Sequence, residues 1–397
     1  MEHKRIKMLD SFRCLAIISV ILFHYSYGWT PPNSEHNLYP YGSFYGSLFK
    51  YGYLGVPFFF IISGFVISYT LENTAGAASF FKNRFIRLFP PIAFWSLVTF
   101  LTFLFLDSNN ILPNDHKLKN FLFSLTFINP ELGTAVFKTK FDWLNGCYWS
   151  LWVEVQFYFF AAFLFYINKR AFLRNILVLA LLLFLFDFVP GHFLQPIHIG
   201  QVPAVAVGFL KQAQYFNSLF NLAHYICFFA CGVVFHHLYK GGRLTFITIF
   251  CSSLILIGQF YNYFTLELRL IFLIMLLLFA LMIYKIKWLS LLDNPLLARI
   301  GVISYSVYLA HGDIGILLIN KYGGYLGRWS PISAILVCAI LIFAADLSYR
   351  FIERRTARIL KRWLFDNSSN LPKAVSRQTR VNESLPNYPK SGASLSH

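Results

Sequence analysis

The residues from which chemistry could be built are the few ionisable side chains that fall inside long apolar runs. They are Asp10, Arg13 and His24 in residues 9–28, Glu154 in 148–167, His311 and Asp313 in 299–319, and Arg350 with Glu353 at the end of 331–351, with His224 a weaker member. Charges at membrane depth are expensive and are functional hypotheses by default. A neutral imidazole is a suitable general base near pH 7, and a carboxylate beside it orients the ring and stabilises the imidazolium that forms. Helical rise puts His24 about 21 Å above Asp10, so those two cannot pair within one helix. His24 lies about 6 Å, and Glu154 about 9 Å, below the outer ends of their own segments by the same rise. The shared depth predicts a His24–Glu154 dyad. A hydrogen-bonded packing histidine is the alternative. His311, about 18 Å above Arg299, is assigned a supporting role.

A second chemistry is suggested by the run FKNRFIRLFPP, which places Lys82, Arg84 and Arg87 just before Pro90 and Pro91. Arg84 and Arg87 are spaced i, i+3, so in a helical turn both guanidinium groups project to one side. Guanidinium forks suit phosphate, and Arg13 would join them at the same depth. Retention of basic residues on the cytoplasmic side is the plainer reading of this run taken alone and explains most such loops.

These groups need elements that hold them in a bilayer. The chain has 397 residues, 57% hydrophobic, 19% aromatic and only 13% charged, with a formal charge of +17. Soluble domains carry about 25% charged residues. The deficit excludes a disordered chain, a disulfide scaffold and a soluble nucleic-acid binder. A span needs about 20 apolar residues. Candidate spans fall at 9–28, 51–71, 88–106, 148–167, 172–190, 219–239, 244–262, 266–284, 299–319 and 331–351. The expected fold is therefore an all-α polytopic bundle of about ten transmembrane helices. The seventh and eighth are close enough to form a re-entrant pair.

Lys and Arg concentrate on alternate flanks, which predicts that both termini are cytoplasmic. Asp10 and Arg13 interrupt the first apolar run, and HYSYGWTPP is a poor cleavage site, so a retained helix is expected there rather than a signal peptide. The loops 29–50, 107–147 and 191–218 are long, which suggests a working surface on the opposite side. Phe44, Tyr45 and Trp143 in them suit either sugar stacking or interfacial anchoring. Residues 1–365 form the membrane domain, and the polar stretch 366–397 reads as a disordered cytoplasmic tail. Cys14, Cys227, Cys231, Cys251 and Cys338 lie in apolar runs and act as small hydrophobes, while Cys147 sits nearer a surface. Neither a disulfide nor a metal site is expected from their spacing.

Six sequence pieces taken in order carry a resemblance. They are Arg5-x-x-x-Leu9-Asp10-x-x-Arg13-x-x-Ala16 leading to His24; Gly55-Val56-Pro57-Phe58-Phe59-Phe60-Ile61-Ile62-Ser63-Gly64-Phe65; Arg84-Phe85-Ile86-Arg87-Leu88-x-Pro90; Trp149-Ser150-Leu151-Trp152-Val153-Glu154; Ile303-Ser304-Tyr305-Ser306-Val307-Tyr308-Leu309-Ala310-His311; and Ser348-Tyr349-Arg350-Phe351-Ile352-Glu353-Arg354. Together they resemble the acyltransferase-3 family of bacterial integral-membrane O-acyltransferases over about residues 5–355. Pro57, Ala310 and Arg355 depart from the family's usual residues.

The resemblance implies transfer of an acyl group, usually acetyl, from cytoplasmic acyl-CoA to a hydroxyl of an envelope or secreted glycan or its lipid-linked precursor. It implies a multi-pass protein of the bacterial cytoplasmic membrane, with acyl-CoA as co-substrate and no permanently bound cofactor. It marks His24 as catalytic and Arg84 and Arg87 as serving acyl-CoA, to which the residue reading adds Lys82 and Arg13. Glu154 would orient His24, and Ser150, Ser304 or Tyr305 would face the oxyanion. Asp10, Trp149, His311, Arg350 and Glu353 would support the site. Direct transfer and an acyl-histidine route both fit. A transporter of a glycan or lipid precursor is the rival reading; it calls for interrupted helices or internal repeats, and no repeat is visible.

Overall fold

Helices form wherever the apolar runs occur, and in a computed structural model they enclose His24 and Arg84 at opposite ends of one bundle. The structure describes residues 6–29, 38–42, 44–45, 47–194, 204–262 and 265–366. Arg5 and the tail 367–397 lie outside them.

Among the described residues the longer helices are α1 (Lys7–His24), α2 (Gly55–Glu72), α3 (Ala77–Leu106), α4 (Leu118–Ser124), α5 (Pro130–Phe137), α6 (Trp149–Ile167), α7 (Phe172–Phe193), α8 (Ala204–Phe220), α9 (Leu222–Tyr239), α10 (Phe246–Asn262), α11 (Leu266–Ile283), α12 (Pro295–His311), α13 (Asp313–Tyr322), α14 (Ile332–Ser348) and α15 (Arg354–Asp366), with no strand. Seven helical stretches are long and apolar enough to cross a membrane, or eight when the pair α12 and α13, bent by 63°, is taken as one broken span. Two other expected spans are helical but fall short. Helix α1 carries Lys7, Asp10 and Arg13, and α10 has only 17 residues.

α1 is central although it carries three charged residues. Phe12, Cys14, Ile17 and Val20 are fully buried, packed between α2 and α12. Small residues let these helices approach: a Cβ on Gly301 of α12 would collide with the Asp10 carbonyl, and one on Gly64 of α2 would collide with the Phe229 carbonyl of α9. In a bilayer such close backbone packing replaces the hydrophobic driving force between helices. The outward faces of α10, α11 and α14 expose Ile257, Leu277 and Phe343, as lipid contact requires.

The boundaries differ from expectation in three places. α3 begins at Ala77 rather than residue 88 and runs for 30 residues through Pro90 and Pro91, so Arg84 and Arg87 stand on the helix itself. The sixth expected span is split at Asn221, whose φ of 53° breaks α8 from α9. The ninth is broken at Gly312, directly after His311. The seventh and eighth expected spans form two helices, α10 and α11, of which α11 alone is long and apolar enough to cross a membrane.

Candidate active site

The break at Gly312 is what brings the chemistry together. Gly312 ends α12 with ψ of −103°, and a Cβ there would meet Cys147 Sγ at 2.9 Å and Asn145 Oδ1 at 3.0 Å. Only glycine allows the Asn145–Cys147 turn to lie this close. Asn145 shapes that turn by accepting from the Cys147 N–H at 2.9 Å, and Asp313 Oδ2 accepts from the Gly146 N–H at 3.0 Å. The His311 carbonyl accepts from Tyr25 Oη at 2.9 Å. α1, the turn before α6, and the α12–α13 break are thus locked into one cluster.

Within it His24 Nδ1 lies 3.0 Å from His311 Nε2, and His311 Nδ1 lies 2.7 Å from the Tyr308 carbonyl. A carbonyl only accepts, so His311 Nδ1 carries its proton and a neutral His311 has a bare Nε2. That nitrogen accepts from His24 Nδ1–H, which leaves the lone pair of His24 on Nε2. Cys147 Sγ stands 3.8 Å from His311 Nε2. His311 is fully buried, and His24 is half-buried beside Phe23 and Trp29.

His24 borders a cavity of about 760 Å³. Its wall combines the aromatic rings of Trp29, Tyr53, Trp149, Tyr225 and Tyr261 with the polar groups of Asn217, Asn262 and Asp187. Asp187 Oδ2 pairs with His224 Nδ1 at 2.9 Å, a second imidazole–carboxylate pair on the same wall. Trp149 stacks toward Tyr225 at 5.1 Å.

Glu154 faces elsewhere. It accepts from Ser63 Oγ at 2.6 Å and borders a narrow cavity of about 80 Å³ with Arg13, Arg84, Arg87, Ser150, Ser304 and Tyr305. The pairing expected from equal depth is therefore replaced by His24 with His311 and Glu154 with Ser63. α1 ends at His24 itself rather than at residue 28, whereas Glu154 lies more than a turn inside α6, so the two border different cavities and α2 and α12 supply the partners.

Val56 and Tyr308 border both cavities, so they form the partition between the His24 end and the arginine end. Tyr308 Oη donates to the Cys147 carbonyl at 3.0 Å and lies 2.8 Å from Ser150 Oγ, which holds the partition in place. Below, a third cavity of about 680 Å³ shares Arg13, Arg84, Arg87, Ser304 and Tyr305 with the narrow one and adds Asp10 and Glu353. The three spaces form a file along the bundle.

The arginine end gathers three guanidinium groups around the two lower cavities. Buried Arg84 donates to Thr70 Oγ1 at 2.8 Å and packs over the rings of Phe80 and Tyr158 at 5.4 and 5.8 Å. Its Nε has no hydrogen-bond partner among the described residues, an unusual state for a buried guanidinium N–H. Arg87 is exposed, and Arg13 is paired with Asp10 at 2.9 Å. Glu353 accepts from Ser306 and Ser348 at 2.6 and 2.8 Å.

Two expected members stand outside this arrangement. Lys82 donates to the Leu364 carbonyl of α15 at 2.7 Å and lies over the Phe365 ring, because the longer α3 carries it past the cavity mouth. Arg350 pairs with Asp346 one turn back at 2.6 Å and remains largely exposed. Of the hydroxyls expected at an oxyanion, Tyr305 Oη donates to the Leu88 carbonyl at 3.4 Å and Ser150 to that of Cys147 at 3.2 Å, so both are engaged with backbone. In the loops, Tyr45 donates to the Pro331 carbonyl at 2.6 Å, and Phe44 is exposed. Neither they nor Trp143 border the His24 cavity, whose aromatic wall comes from other residues.

Comparison with known proteins agrees with the fold and the motifs. Three O-acetyltransferases of Staphylococcus aureus, from strains COL, MSSA476 and MRSA252 and each so named in provisional terms, are 24% identical to this chain over 377 residues. The match covers 87% of this chain and 56% of theirs, so the chain spans only about half the length of these relatives. No solved structure matches. The profile of an acyltransferase domain matches residues 6–350, nearly the whole membrane bundle, and the chain belongs to the acyltransferase-3 family.

Proposed function

We propose that this chain is a membrane O-acyltransferase that moves an acyl group, acetyl above all, from cytoplasmic acyl-CoA to a hydroxyl of an envelope or secreted polysaccharide or its lipid-linked precursor. The observation that carries this reading is the file of cavities with a His24–His311 pair at one end and three arginines at the other. The coenzyme's phosphates would bind Arg84, Arg87 and Arg13, with Glu154 balancing their charge. Its pantetheine arm would pass Val56 and Tyr308, and the thioester would reach His24. The aromatic and polar wall above suits a sugar, whose faces stack on rings and whose hydroxyls need hydrogen-bonding groups.

His24 Nε2 would take the hydroxyl proton as the oxygen attacks the thioester carbonyl. His24 Nδ1–H, donating to His311 Nε2, stabilises the resulting imidazolium. When the C–S bond breaks, the proton passes from His24 to the departing thiolate, giving free CoA and an ester. His311 is thus a positioning residue. The Asp187–His224 pair borders the acceptor side of the cavity and would hold a sugar hydroxyl.

A transport reading finds the interrupted helix it calls for at Gly312. The same break is also required to seat His311 against His24, and a substrate carrier has no use for a tautomer-fixed imidazole. Transfer of labelled acetyl from acetyl-CoA to isolated envelope polysaccharide by the purified protein separates the two. Acetyl-dependent labelling that disappears in His24→Ala supports the enzyme; glycan movement into vesicles without consumption of acetyl-CoA would overturn it.

A further inference from the structure

The cysteine beside the histidine pair is not used by any step above, and its position is specific. The ligand atoms of His24, Cys147 and His311 all lie within 4.8 Å of one another. His24 Nδ1 to His311 Nε2 is 3.0 Å, and His311 Nε2 to Cys147 Sγ is 3.8 Å. A tetrahedral zinc ion with Zn–N of about 2.05 Å and Zn–S of about 2.3 Å separates two nitrogens by about 3.3 Å, and nitrogen from sulfur by about 3.6 Å. These two separations fall within about 0.3 Å of the tetrahedral values, and the third, between His24 and Cys147, lies within 4.8 Å, so a small rotation of the half-buried His24 ring completes the set.

The surroundings also resemble a metal site. The far nitrogen of His311 is tied to the Tyr308 carbonyl, which fixes the tautomer that leaves Nε2 bare. Asp313 brings a carboxylate to the turn that carries Cys147. The cavity bordered by both His24 and Cys147 gives an ion a way in and room for water as a fourth ligand. No other group of three such ligands occurs among the described residues.

We propose that His24, Cys147 and His311 form a binding site for a zinc-class divalent cation, and that occupancy switches the acyltransferase off. The binding part stands on geometry alone; the inhibitory part rests on the proposed role of His24. On binding, the Cys147 thiol gives its proton to cavity water and the thiolate bonds the metal. A metal on His24 Nδ1 forces the ring proton onto Nε2, and a metal on Nε2 takes the lone pair directly. Either way the base is lost, with no change in oxidation state. A thiolate and two imidazoles select zinc over magnesium or calcium, which prefer oxygen ligands.

The test uses the full chain in detergent, reduced and stripped with a chelator. Cobalt(II) should give a sulfur-to-cobalt charge-transfer band in the near ultraviolet, titrating to one ion per chain and displaced by zinc. Cys147→Ser should abolish the band and weaken zinc binding at least tenfold, and His311→Asn should weaken it comparably. Absence of the band, or unchanged binding in Cys147→Ser, would overturn the site. In the transfer assay, zinc but not magnesium should inhibit the wild type, while Cys147→Ser keeps wild-type activity in chelator and resists the same zinc. Inhibition equal in both proteins would overturn the switch. Should no transfer be found at all, the cobalt spectrum still decides whether the site exists, so the two failures are separable.

Discussion

His24 Nδ1 and His311 Nε2 meet at 3.0 Å across 287 residues of sequence, and the Tyr308 carbonyl decides which ring carries the shared proton. The arrangement makes His311 an acceptor that holds His24 in one tautomer. We predict that His311→Ala lowers kcat by roughly 10²-fold or more, the range of a general-base contribution, with little change in KM for acyl-CoA. His311→Gln, whose amide oxygen can accept from Nδ1–H, should recover part of the loss. A gain in KM with unchanged kcat in either variant would assign His311 to donor binding instead.

The His224–Asp187 pair offers the rival imidazole, and it separates from His24 by assay. Loss of His224 should raise KM for the glycan acceptor while leaving kcat within a few-fold of wild type, because the pair borders the His24 cavity but not the narrow one beyond Val56 and Tyr308. His24→Ala should abolish transfer at saturating acceptor. Were the outcomes exchanged, the base would be His224 and the His24–His311 contact structural.

Much of this site was legible in the sequence. An ionisable residue in an apolar run is conspicuous, so His24, Glu154 and His311 stand out as candidates by type and setting, and Arg84 and Arg87 by their i, i+3 spacing. Helical rise gives a position along one run but neither where that helix ends nor which neighbour lies opposite, so the expected His24–Glu154 pair is replaced: His24 ends α1 and faces α12, and Glu154 faces Ser63 of α2. Asp187 was missed, although an aspartate within LLLFLFDFVPGHF obeys the same rule. Cys147 could not be found this way, because it stands outside the apolar runs and has no ligand partner at metal spacing in the sequence; only the Gly312 break brings it to His311.

At the arginine end, the predicted effects of the two arginines differ because their burial differs. Arg87 is exposed and borders the cavities, so Arg87→Ala should weaken acyl-CoA binding about tenfold, the loss of one charge-assisted contact of about 1.5 kcal/mol, and more so at low salt. Arg84→Ala should weaken binding and also lower thermal stability, since it leaves Thr70 and the Phe80 and Tyr158 rings without their partner. Binding by isothermal titration, with unfolding followed in parallel, distinguishes the two. Unaltered affinity in Arg87→Ala would return that residue to membrane topology.

The partition predicts a split between binding and transfer. Val56 is 7% exposed and borders both the His24 cavity and the narrow one. A larger side chain there, Val56→Phe, should close the route of the pantetheine arm. CoA should still bind at the arginines with near wild-type affinity while acyl transfer falls by at least 10-fold. Overpacking costs about 1–3 kcal/mol, so a melting curve must accompany the assay. Retained transfer in a folded variant would mean that donor and acceptor meet by another path.

Two carboxylates in the segment between α3 and α4 set opposite pH responses. Burial pushes Asp115 well above the usual carboxylate range, reinforced by the neighbouring charge of Asp313. For Asp107 burial pushes upward too, but the N–H groups of Ile111 and Leu112, and His116, outweigh it and hold the carboxyl below its ordinary value. A raised folded-state pKa means that stability is fully present below the ordinary value of 3.8 and is lost as pH rises through the folded value. A lowered one means stability present above 3.8 and lost as pH falls through the folded value. Asp115→Asn should therefore raise thermal stability at neutral pH and remove the decline on the alkaline side, because the amide needs no charge in a buried place. Asp107→Asn should do the reverse, destabilising the protein at neutral pH and removing the loss seen on acidification, since the amide gives up the charge that Ile111, Leu112 and His116 stabilise. Melting temperatures of the two variants across pH 3 to 8, in detergent of constant composition, check both directions at once; equal pH profiles for the pair would show that neither carboxylate is held as the structure has it.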